Sequence, residues 1–476
     1  MKTQFILISL ISCCGLLAAT REKPNIILIL ADDMGYGDLG CTGSTTIKTP
    51  HIDRLAAGGT FCSQGYVASP VCSPSRAGLI TGRDPRRFGY EGNLNGDPEE
   101  YPTRPDCLGL PVGEHTLADH LKAAGYRTGL IGKWHLGDGG IFHPNQRGFD
   151  EFCGMLGGGH PYFPETGKNR IERNGQPVTA FSNTYLTDFF TDESIRWMSG
   201  ENDKPFFLFL SYNAPHTPME ATEEDLELYS HLEDENRRTY AAMMHAMDRG
   251  VGRLLDWLKQ EGRDSNTLIV FFSDNGGATN NASWNADLSG AKGTLLEGGI
   301  RVPMIWSWPG KIPAGKRHEA PVSSLDLLPT FLAAAAAKPL PLSPPRRHED
   351  AANRKRSSKL YGDYDGINLL PRFSGTTPPP DRTLFWRLQG QRAVLHGGDK
   401  LIALSHRPPQ LFQPKIDPGE SSDLATTRPD TLKELFKRLG EWESSLATVP
   451  LWDSSPRWWG DSARIYDTYP PRPEPR

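Results

Sequence analysis

The sequence has little cysteine, no marked excess of charge and, after its first twenty residues, no long apolar run. Seven cysteines in 476 residues, without a Cys-x-x-Cys pair, give no indication of a structural zinc site. A net charge of −5 and a pI of about 6.2 argue against a dedicated nucleic-acid-binding protein. No integral membrane span is expected after the first twenty residues. The length suits one large core and a smaller domain.

The first twenty residues are typical of a signal peptide. Lys2 supplies a positive charge, Phe5–Ala19 is mostly apolar, and small residues follow at the expected cleavage region. The chain is therefore expected to be exported to the periplasm or secreted, with residues 1–20 removed. The segment that ends at Cys13 also resembles a lipobox, so anchoring as a lipoprotein through Cys13 is an alternative.

Five cysteines remain after removal of the signal peptide. In an oxidising compartment they permit up to two disulfides if one of them is converted to another group, or they stay free and buried. The pairing does not follow from sequence alone. The five are Cys41, Cys62, Cys72, Cys107 and Cys153.

Continuous apolar runs of strand length recur along the chain, and helical patterns lie between them. Pro24–Ala31, Pro205–Tyr212 and Thr267–Phe272 are typical of strands that are buried on both faces. Arg237–Lys259 carries the single apolar stripe of a helix. This alternation predicts an α/β fold with a large, mostly parallel, doubly wound sheet flanked by helices.

A change of composition at Lys338 divides the chain after its strand–helix part, residues 23–337. Residues 338–360 are rich in proline and basic side chains, which predicts a solvated linker. Short strand-like pieces and a helix at Thr431–Leu446 follow. Residues 361–476 are therefore expected to form a smaller C-terminal α+β domain.

Carboxylate and amide side chains follow two of the predicted strands. Asp32 and Asp33 end the first, and Asp274 and Asn275 end a later one. Two carboxylates about 4 Å apart repel one another by about 4 kcal/mol at an effective dielectric near 20, and a divalent cation relieves this. Oxygen ligands favour calcium or magnesium over zinc.

Cys72 lies next to the expected N-terminus of a helix. Pro74 is tolerated in a first helical turn, and Arg76 lies one turn further along the helix. The unpaired N–H groups at a helix start and a nearby guanidinium both favour negative charge. The sequence therefore predicts that a nucleophile at position 72 is activated as its anion.

Basic and histidine side chains follow other predicted strands. Lys133 and His135 come after one strand, His216 after another, and Lys292 lies in a glycine-flanked segment. Together with Arg76, the lysines predict a clamp for an anionic group that gains charge in a transition state. His135 and His216 are candidate proton carriers.

Residues 72–83 resemble the signature of the type I sulfatases, Cys-x-Pro-Ser-Arg followed by Thr-Gly. In that family the cysteine is oxidised to formylglycine, an aldehyde that is hydrated in the resting enzyme. The resemblance implies that a formylglycine-generating enzyme converts Cys72 during maturation. It also implies that one calcium ion is bound by Asp32, Asp33, the residue at position 72, Asp274 and Asn275.

The same resemblance implies a catalytic sequence. One hydroxyl of the hydrated aldehyde attacks sulfur with help from the metal and Asp274, and His216 with Lys292 protonates the departing alcohol. His135 then takes the proton of the second hydroxyl, and sulfate leaves. Arg76 and Lys133 complete the expected catalytic set.

The expected substrate is a sulfate ester of a carbohydrate, with N-acetylgalactosamine-6-sulfate as one candidate. Specificity is expected to depend on loops such as Gly154–Arg173, and His160 in that loop is a candidate for contact with the substrate. Two other functions stay open. A related phosphohydrolase would carry Ser or Thr and two zinc ions, which the signature disfavours, and a non-catalytic binder of sulfated glycans would result if Cys72 were never converted.

Overall fold

The structure is a computed structural model of the chain, and the segments that it describes have defined bounds. They are residues 22–94, 108–163, 170–178, 184–200, 203–341, 364–378, 381–446 and 456–475. The predicted signal peptide, Cys13, Cys107 and most of the predicted linker lie outside these described residues. The four described cysteines, Cys41, Cys62, Cys72 and Cys153, are free thiols.

Strands and helices alternate through most of the described chain. The strands are β1 (Asn25–Ala31), β2 (Thr60–Tyr66), β3 (Arg127–Lys133), β4 (Glu151–Met155), β5 (Glu172–Arg173), β6 (Gln176–Pro177), β7 (Phe206–Ser211), β8 (Thr267–Ser273), β9 (Arg301–Ser307), β10 (Lys316–His318), β11 (Val322–Ser323), β12 (Thr383–Leu388), β13 (Gln391–His396), β14 (Asp399–Leu404) and β15 (Gln410–Phe412). The helices are α1 (Pro50–Ala57), α2 (Cys72–Thr81), α3 (Leu117–Ala123), α4 (Leu186–Met198), α5 (Glu223–Glu227), α6 (Glu235–Gln260), α7 (Glu297–Ile300), α8 (Leu327–Ala334), α9 (Leu370–Phe373), α10 (Pro429–Glu443) and α11 (Pro456–Thr468).

The larger of two sheets has a parallel centre. Within the described residues its strand order is β10-β2-β9-β8-β1-β7-β3-β4-β5-β6, with β11 beside β2. β1 pairs in parallel with β7 and β8, and β3 pairs in parallel with β7 and β4. β9 is antiparallel to both β8 and β2. The predicted α/β fold with a large, mostly parallel sheet is confirmed.

The apolar run of β1 is continuous because both faces of the sheet are covered. Ile26, Leu28 and Leu30 belong to one buried core, which also contains residues of α2, α3 and α8. Ile27 and Ile29 belong to a second core, which contains residues of α4 and α6. Successive side chains of a strand point to opposite faces, so this division places helices on both sides of the sheet.

Helix α6 starts two residues before its predicted beginning. The side chain of Asp234 accepts a hydrogen bond from the Arg237 N–H at 2.8 Å and so caps the first turn. The apolar stripe predicts only the part of the helix that packs on the sheet, whereas the cap sets where the helix begins.

The sequence does not predict β2, although all of its residues are buried. Thr60–Tyr66 contains Ser63, Gln64 and Gly65 and therefore lacks the apolar run of the central strands. It lies between β9, to which it is antiparallel, and β10, to which it is parallel. Its strand conformation follows from these long-range pairings rather than from local pattern.

The smaller sheet is antiparallel, with the order β12-β13-β14-β15 in the described chain. One of its faces packs on α10 through Val394, Leu401, Leu435 and Leu439. Its other face joins a core of the larger sheet, where the Trp386 Nε1–H donates to the carbonyl of a residue after β2 at 2.8 Å. The predicted α+β character of this part is confirmed, but α11 was not expected in a tail rich in tryptophan and proline.

None of the helices in the described segments is long and apolar enough to cross a membrane.

A buried group of charges joins the two sheets. Lys400 of β14 has no exposed surface, and its Nζ lies 2.8 Å from Glu297 Oε1 and 2.9 Å from Glu420 Oε1. Glu297 also accepts a hydrogen bond from the Tyr66 hydroxyl at 2.9 Å and lies 3.4 Å from Arg301. Lys400 therefore lies between two carboxylates that belong to different parts of the chain.

Replacement of the central cation is expected to destabilise the fold strongly. Lys400→Met keeps the volume of the side chain but leaves Glu420 buried without its cation, which costs about 3–5 kcal/mol of unfolding free energy. Urea denaturation followed by tryptophan fluorescence measures this change. Lys433→Met is the control, because Lys433 is largely exposed and 3.8 Å from an exposed carboxylate. Equal stability of the two variants would contradict the role of Lys400.

Candidate active site

Four adjacent parallel strands, β3, β7, β1 and β8, end at the same edge of the larger sheet. Backbone hydrogen bonds tie these ends together: the Asp32 N–H donates to Ala214 O at 3.0 Å, and the Asp274 N–H donates to Ala31 O at 3.0 Å. Such an edge is where ligands bind in open α/β sheets. The predicted site residues that follow these strands are Asp32, Asp33, Lys133, His135, His216, Asp274 and Asn275.

Asp33 itself makes the turn that directs two neighbouring carboxylates to one place. Its φ is 64°, in the left-handed region, whereas the sequence suggests that the following glycines supply the turn. A left-handed conformation at a non-glycine residue costs about 1 kcal/mol or more and persists where surrounding contacts over-determine it. Here the Asp33 O accepts from the Asn281 side chain at 3.0 Å, and the Met34 N–H donates to Ser273 Oγ at 3.0 Å.

Helix α2 brings Cys72 to the same edge. Cys72 is the first residue of the helix and is buried, and its Sγ lies 3.6 Å from Asp32 Oδ1 and 3.9 Å from Asp33 Oδ1. Arg76, one turn later, donates from Nε to Asp274 Oδ2 at 2.8 Å and from Nη1 to Ser211 Oγ at 2.7 Å. The helix therefore presents both a thiol and a guanidinium to the carboxylates of the strand ends.

The structure does not favour an activated thiol at position 72, whereas activation of an oxygen nucleophile at this position stays a prediction. Burial raises the pKa of Cys72 to about 12, although the charges of Lys133 and Lys292 act in the opposite direction. The cost of placing a bare thiolate in the protein interior exceeds the attraction of the two lysines. At neutral pH this thiol is protonated.

Each of the three carboxylates at the strand ends has one close cation. Lys133 Nζ lies 2.6 Å from Asp32 Oδ2, and Lys292 Nζ lies 2.7 Å from Asp33 Oδ2. The third pair is Asp274 with the Arg76 guanidinium. The six formal charges cancel, so the three cations compensate the repulsion between the carboxylates.

The carboxylates nevertheless differ in acidity. Burial alone would raise the pKa of Asp32, but Lys133, His216 and Arg76 outweigh it and lower this pKa well below its usual range. Burial, together with the charge of Asp32, raises the pKa of Asp274 to about 6, because Arg76 offsets only part of the cost. Two carboxylates at one edge therefore have pKa values far apart.

Several possible ligand atoms lie close enough together to hold a metal ion. Single ligand atoms of Asp32, Asp33, Cys72 and His216 all lie within 4.8 Å of one another. Asn275 donates from Nδ2 to Asp33 Oδ1 at 2.7 Å, whereas its buried Oδ1 has no hydrogen-bond partner among the described residues. A buried oxygen without a donor is costly unless something else satisfies it, and a cation does so.

The two predicted proton carriers have different surroundings. His135 is buried, its φ is 57°, and its Nδ1 has no hydrogen-bond partner in the described part of the chain. Burial and then Lys133 and Arg76 lower its pKa well below the usual value. His216 is one-fifth exposed, with Nε2 at 3.6 Å from Asp33 Oδ2, and burial lowers its pKa despite the nearby aspartates. Burial is thus the largest cause of the lowered pKa in both rings.

His160 lies close to this edge but has no free ring nitrogen. Its Nδ1 is 2.6 Å from Pro161 O, and its Nε2 accepts from the Arg170 N–H at 3.0 Å. Both nitrogens are thus used by the backbone. The structure gives no support to the predicted contact between His160 and a substrate.

Three polar residues that sequence reasoning missed support the site. Ser211, at the end of β7, accepts from Arg76, and Asn281 bridges Asp33 O and Pro215 O at 3.0 and 3.2 Å. Ser73 Oγ donates to the carbonyl of His135 at 2.7 Å. Only Ser211 carries a sequence signal, because it is the single polar residue at the end of an apolar run.

Comparisons with known proteins agree on one family. A sequence model of the Sulfatase family matches residues 24–337. The chain is 36% identical over 352 residues to N-acetylgalactosamine-6-sulfatase of Mus musculus, an alignment that covers 70% of this chain and 66% of that protein. It is 33% identical over 484 residues to Arylsulfatase A of Homo sapiens, which covers 88% of this chain and 87% of that protein.

A solved structure is similar over nearly the whole length. The crystal structure of Ps i-CgsB in complex with k-i-k-neocarrahexaose has a TM-score of 0.81 and 36% sequence identity to this chain. The match covers 94% of this chain and 98% of that chain. The similarity therefore includes both sheets.

An unconverted Cys72 is expected to react slowly with alkylating reagents. Because the thiolate reacts and burial raises the pKa to about 12, iodoacetamide at pH 8 should label Cys72 about 100-fold or more slower in the folded protein than in urea. Peptide mass spectrometry at timed intervals measures the rate. The internal control is labelling of all four described cysteines in urea, and rapid labelling of Cys72 in the folded protein would contradict a protonated thiol.

Proposed function

The chain belongs to the sulfatase family of sulfuric ester hydrolases, and from this premise we propose that it releases sulfate from a sulfated carbohydrate. The proposed nucleophile is a formylglycine derived from Cys72, and the proposed cofactor is one calcium ion. The proposed catalytic domain is residues 23–337. The observation that carries the proposal is the burial of Cys72 against Asp32 and Asp33 within a ring of three cations.

The proposed modification matters because a side chain with a single hydroxyl could form the first covalent ester but could not release sulfate from it. Oxidation of the Cys72 side chain to an aldehyde, followed by hydration, supplies two hydroxyls on one carbon. One hydroxyl can attack sulfur, and loss of the proton of the other lets the carbon–oxygen bond break and release sulfate. A formylglycine-generating enzyme is therefore the proposed partner during maturation.

Asp32, Asp33, Asp274, Asn275 and the oxygen at position 72 would hold the calcium ion. When bound, the ion supplies a Lewis acid that polarises a sulfate oxygen and favours the ionised hydroxyl. Asn275 is suited to this set because its Oδ1 is buried without a donor. Hard oxygen ligands of this kind suit calcium better than zinc.

Side chains around position 72 can carry the two protons that the proposed reaction moves, one to the departing alcohol and one from the second hydroxyl. Lys292 and His216 both lie near Asp33 Oδ2, at 2.7 and 3.6 Å, and we propose that they protonate the departing alcohol. His135 would accept the proton of the second hydroxyl, since its Nδ1 is free among the described residues. Arg76 and Lys133 would hold the sulfate oxygens as charge develops on them.

The proposed substrate class rests on the relatives. One is an N-acetylgalactosamine-6-sulfatase, and a similar structure contains a neocarrahexaose. A chain that is exported, as proposed from residues 1–20, would meet such carbohydrates outside the cytoplasm. N-acetylgalactosamine-6-sulfate and k-i-k-neocarrahexaose are therefore the first substrates to test.

Sulfate release is expected to depend on conversion of residue 72. Protein co-expressed with a formylglycine-generating activity should release sulfate from a sulfated oligosaccharide, and Cys72→Ala should lower kcat by about 1000-fold or more because the nucleophile is lost. Ion chromatography measures the sulfate. Mass spectrometry of the peptide that contains residue 72 reports conversion.

Three outcomes of that experiment would contradict part or all of the proposed function. Turnover of aryl sulfates but of no sulfated sugar would contradict the carbohydrate substrate. Release of phosphate but not sulfate would favour a phosphohydrolase. A fully unconverted Cys72 in native material, with glycan binding and no turnover, would identify a binding protein.

Calcium is expected to stabilise the protein through Asn275. At a free concentration about 100 times its Kd, a ligand that binds only the folded state adds about 2.7 kcal/mol to the unfolding free energy. Calcium should therefore raise the Tm of chelator-treated protein, and Asn275→Leu should abolish the rise. Asn145→Leu is the matched control, because Asn145 also bonds to backbone carbonyls, those of Phe149 and Asp150 before β4, and its loss should not remove the calcium response. An undiminished response in Asn275→Leu would exclude Asn275 as a ligand.

A further inference from the structure

We propose that Tyr466 and Gln391, both from the C-terminal part of the chain, are positioning residues for Lys292. The inference rests on the proposed function, in which Lys292 assists the departure of the alcohol. Neither residue touches the carboxylates or Cys72. They act on the backbone that carries Lys292.

Lys292 lies in a long segment without regular secondary structure. Residues 274–296, between β8 and α7, contain neither helix nor strand. Gly290 and Gly293 flank Lys292 with φ values of 79° and 90°, in the left-handed region that glycine tolerates. A local turn contains Lys292, because the Thr294 N–H donates to Ala291 O at 3.0 Å. The turn fixes the local backbone, and contacts with other parts of the chain position the turn relative to the strand ends.

The catalytic side of the protein supplies two of these contacts. The Lys292 N–H donates to Gly277 O at 3.0 Å, and the Gly293 N–H donates to Pro70 O at 2.9 Å. Gly277 follows β8 and Pro70 precedes α2, so both bonds join the segment to parts of the chain that carry site residues. Neither bond uses the carbonyl of Gly293 or the N–H of Leu295.

Gln391 and Tyr466 bind these two remaining groups. Gln391 is fully buried and donates from Nε2 to Gly293 O at 2.8 Å. The Leu295 N–H donates to the Tyr466 hydroxyl at 3.0 Å, and that hydroxyl donates to Gln391 Oε1 at 2.7 Å. Burial raises the pKa of Tyr466, so the phenol stays neutral and can be donor and acceptor together.

The C-terminal tail holds the same segment at a further point and is itself anchored. The carbonyl of Tyr469 accepts from the Gly290 N–H at 2.9 Å. Further along, the Glu474 carboxylate accepts from the Thr45 N–H at 2.9 Å and from the Thr46 hydroxyl at 2.6 Å. Helix α11 and the tail thus contact the Lys292 segment through Tyr466 and Tyr469, and Glu474 binds the tail to residues 45 and 46.

This arrangement connects α11 to the ammonium group. Lys292 Nζ lies 2.7 Å from Asp33 Oδ2, and reacting groups lose much of their effect when displaced by about 1 Å. A shift of the Gly293–Leu295 backbone would move Lys292 by a similar amount. Tyr466 is therefore expected to affect the reaction through Lys292 alone.

Hydrogen–deuterium exchange tests the anchoring without any assay of activity. Tyr466→Phe removes the hydroxyl but keeps the ring, and amide exchange in a peptide that covers residues 289–296 should become about 10-fold faster. Asp467→Asn is the matched control: the neighbouring residue forms an exposed ion pair with Arg407 and does not contact this segment. Unchanged exchange in Tyr466→Phe, or an equal increase in Asp467→Asn, would overturn the proposal.

Kinetics test whether the anchoring serves Lys292. With a sulfated sugar, Tyr466→Phe should lower kcat about 10-fold with little change in KM. Lys292→Met should lower kcat further, and adding Tyr466→Phe to it should have no further effect. Multiplicative losses in the double variant would show that Tyr466 acts elsewhere and would overturn the proposal. If the wild-type chain released no sulfate at all, the proposed function would fail, whereas the exchange measurement would still decide whether Tyr466 anchors the segment.

Discussion

Three buried carboxylates and three cations share one edge of the larger sheet. Asp32, Asp33 and Asp274 come from strand ends, whereas Arg76 and Lys292 come from a helix and an irregular segment. Carboxylates at such distances repel one another by several kcal/mol per pair at an effective dielectric near 20, so the edge is stable only when the cations are in place. The elements that carry the cations are therefore bound to the sheet by charge as well as by apolar packing.

The C-terminal part of the chain contributes to this edge as well as to its own sheet. One face of the smaller sheet lies in a core of the larger one, and Lys400 neutralises Glu297 at the start of α7. Glu297 follows directly after the segment that carries Lys292. Gln391 and Tyr466 bind that same segment, so the smaller sheet and α11 close the outer side of the site.

The central strands and their polar ends were predictable from the sequence. A strand that is buried on both faces is a continuous apolar run, and the polar residues mark where the run ends. β2 was not predictable, because its polar residues at 63–65 are buried only through pairing with β9 and β10. The neutral thiol of Cys72 was missed because a helix start and an arginine are visible in the sequence, whereas complete burial is not. That Asp32 and Asp274 lie close together was predictable, because both end parallel strands of one sheet. The left-handed turn at Asp33 was not, because it depends on side chains from distant segments.

The atoms that lack partners around Cys72 indicate what the site binds. Among the described residues, Asn275 Oδ1, Arg76 Nη2 and His135 Nδ1 are buried without a hydrogen bond. An amide oxygen accepts hydrogen bonds or binds a cation, whereas a guanidinium N–H donates to an anion or to another acceptor. Each unsatisfied buried group costs about 1–3 kcal/mol, which a folded protein tolerates where binding recovers it. A cation and an anion bound side by side at residue 72 would satisfy all three atoms, and a sulfate group held against a divalent metal is such a pair.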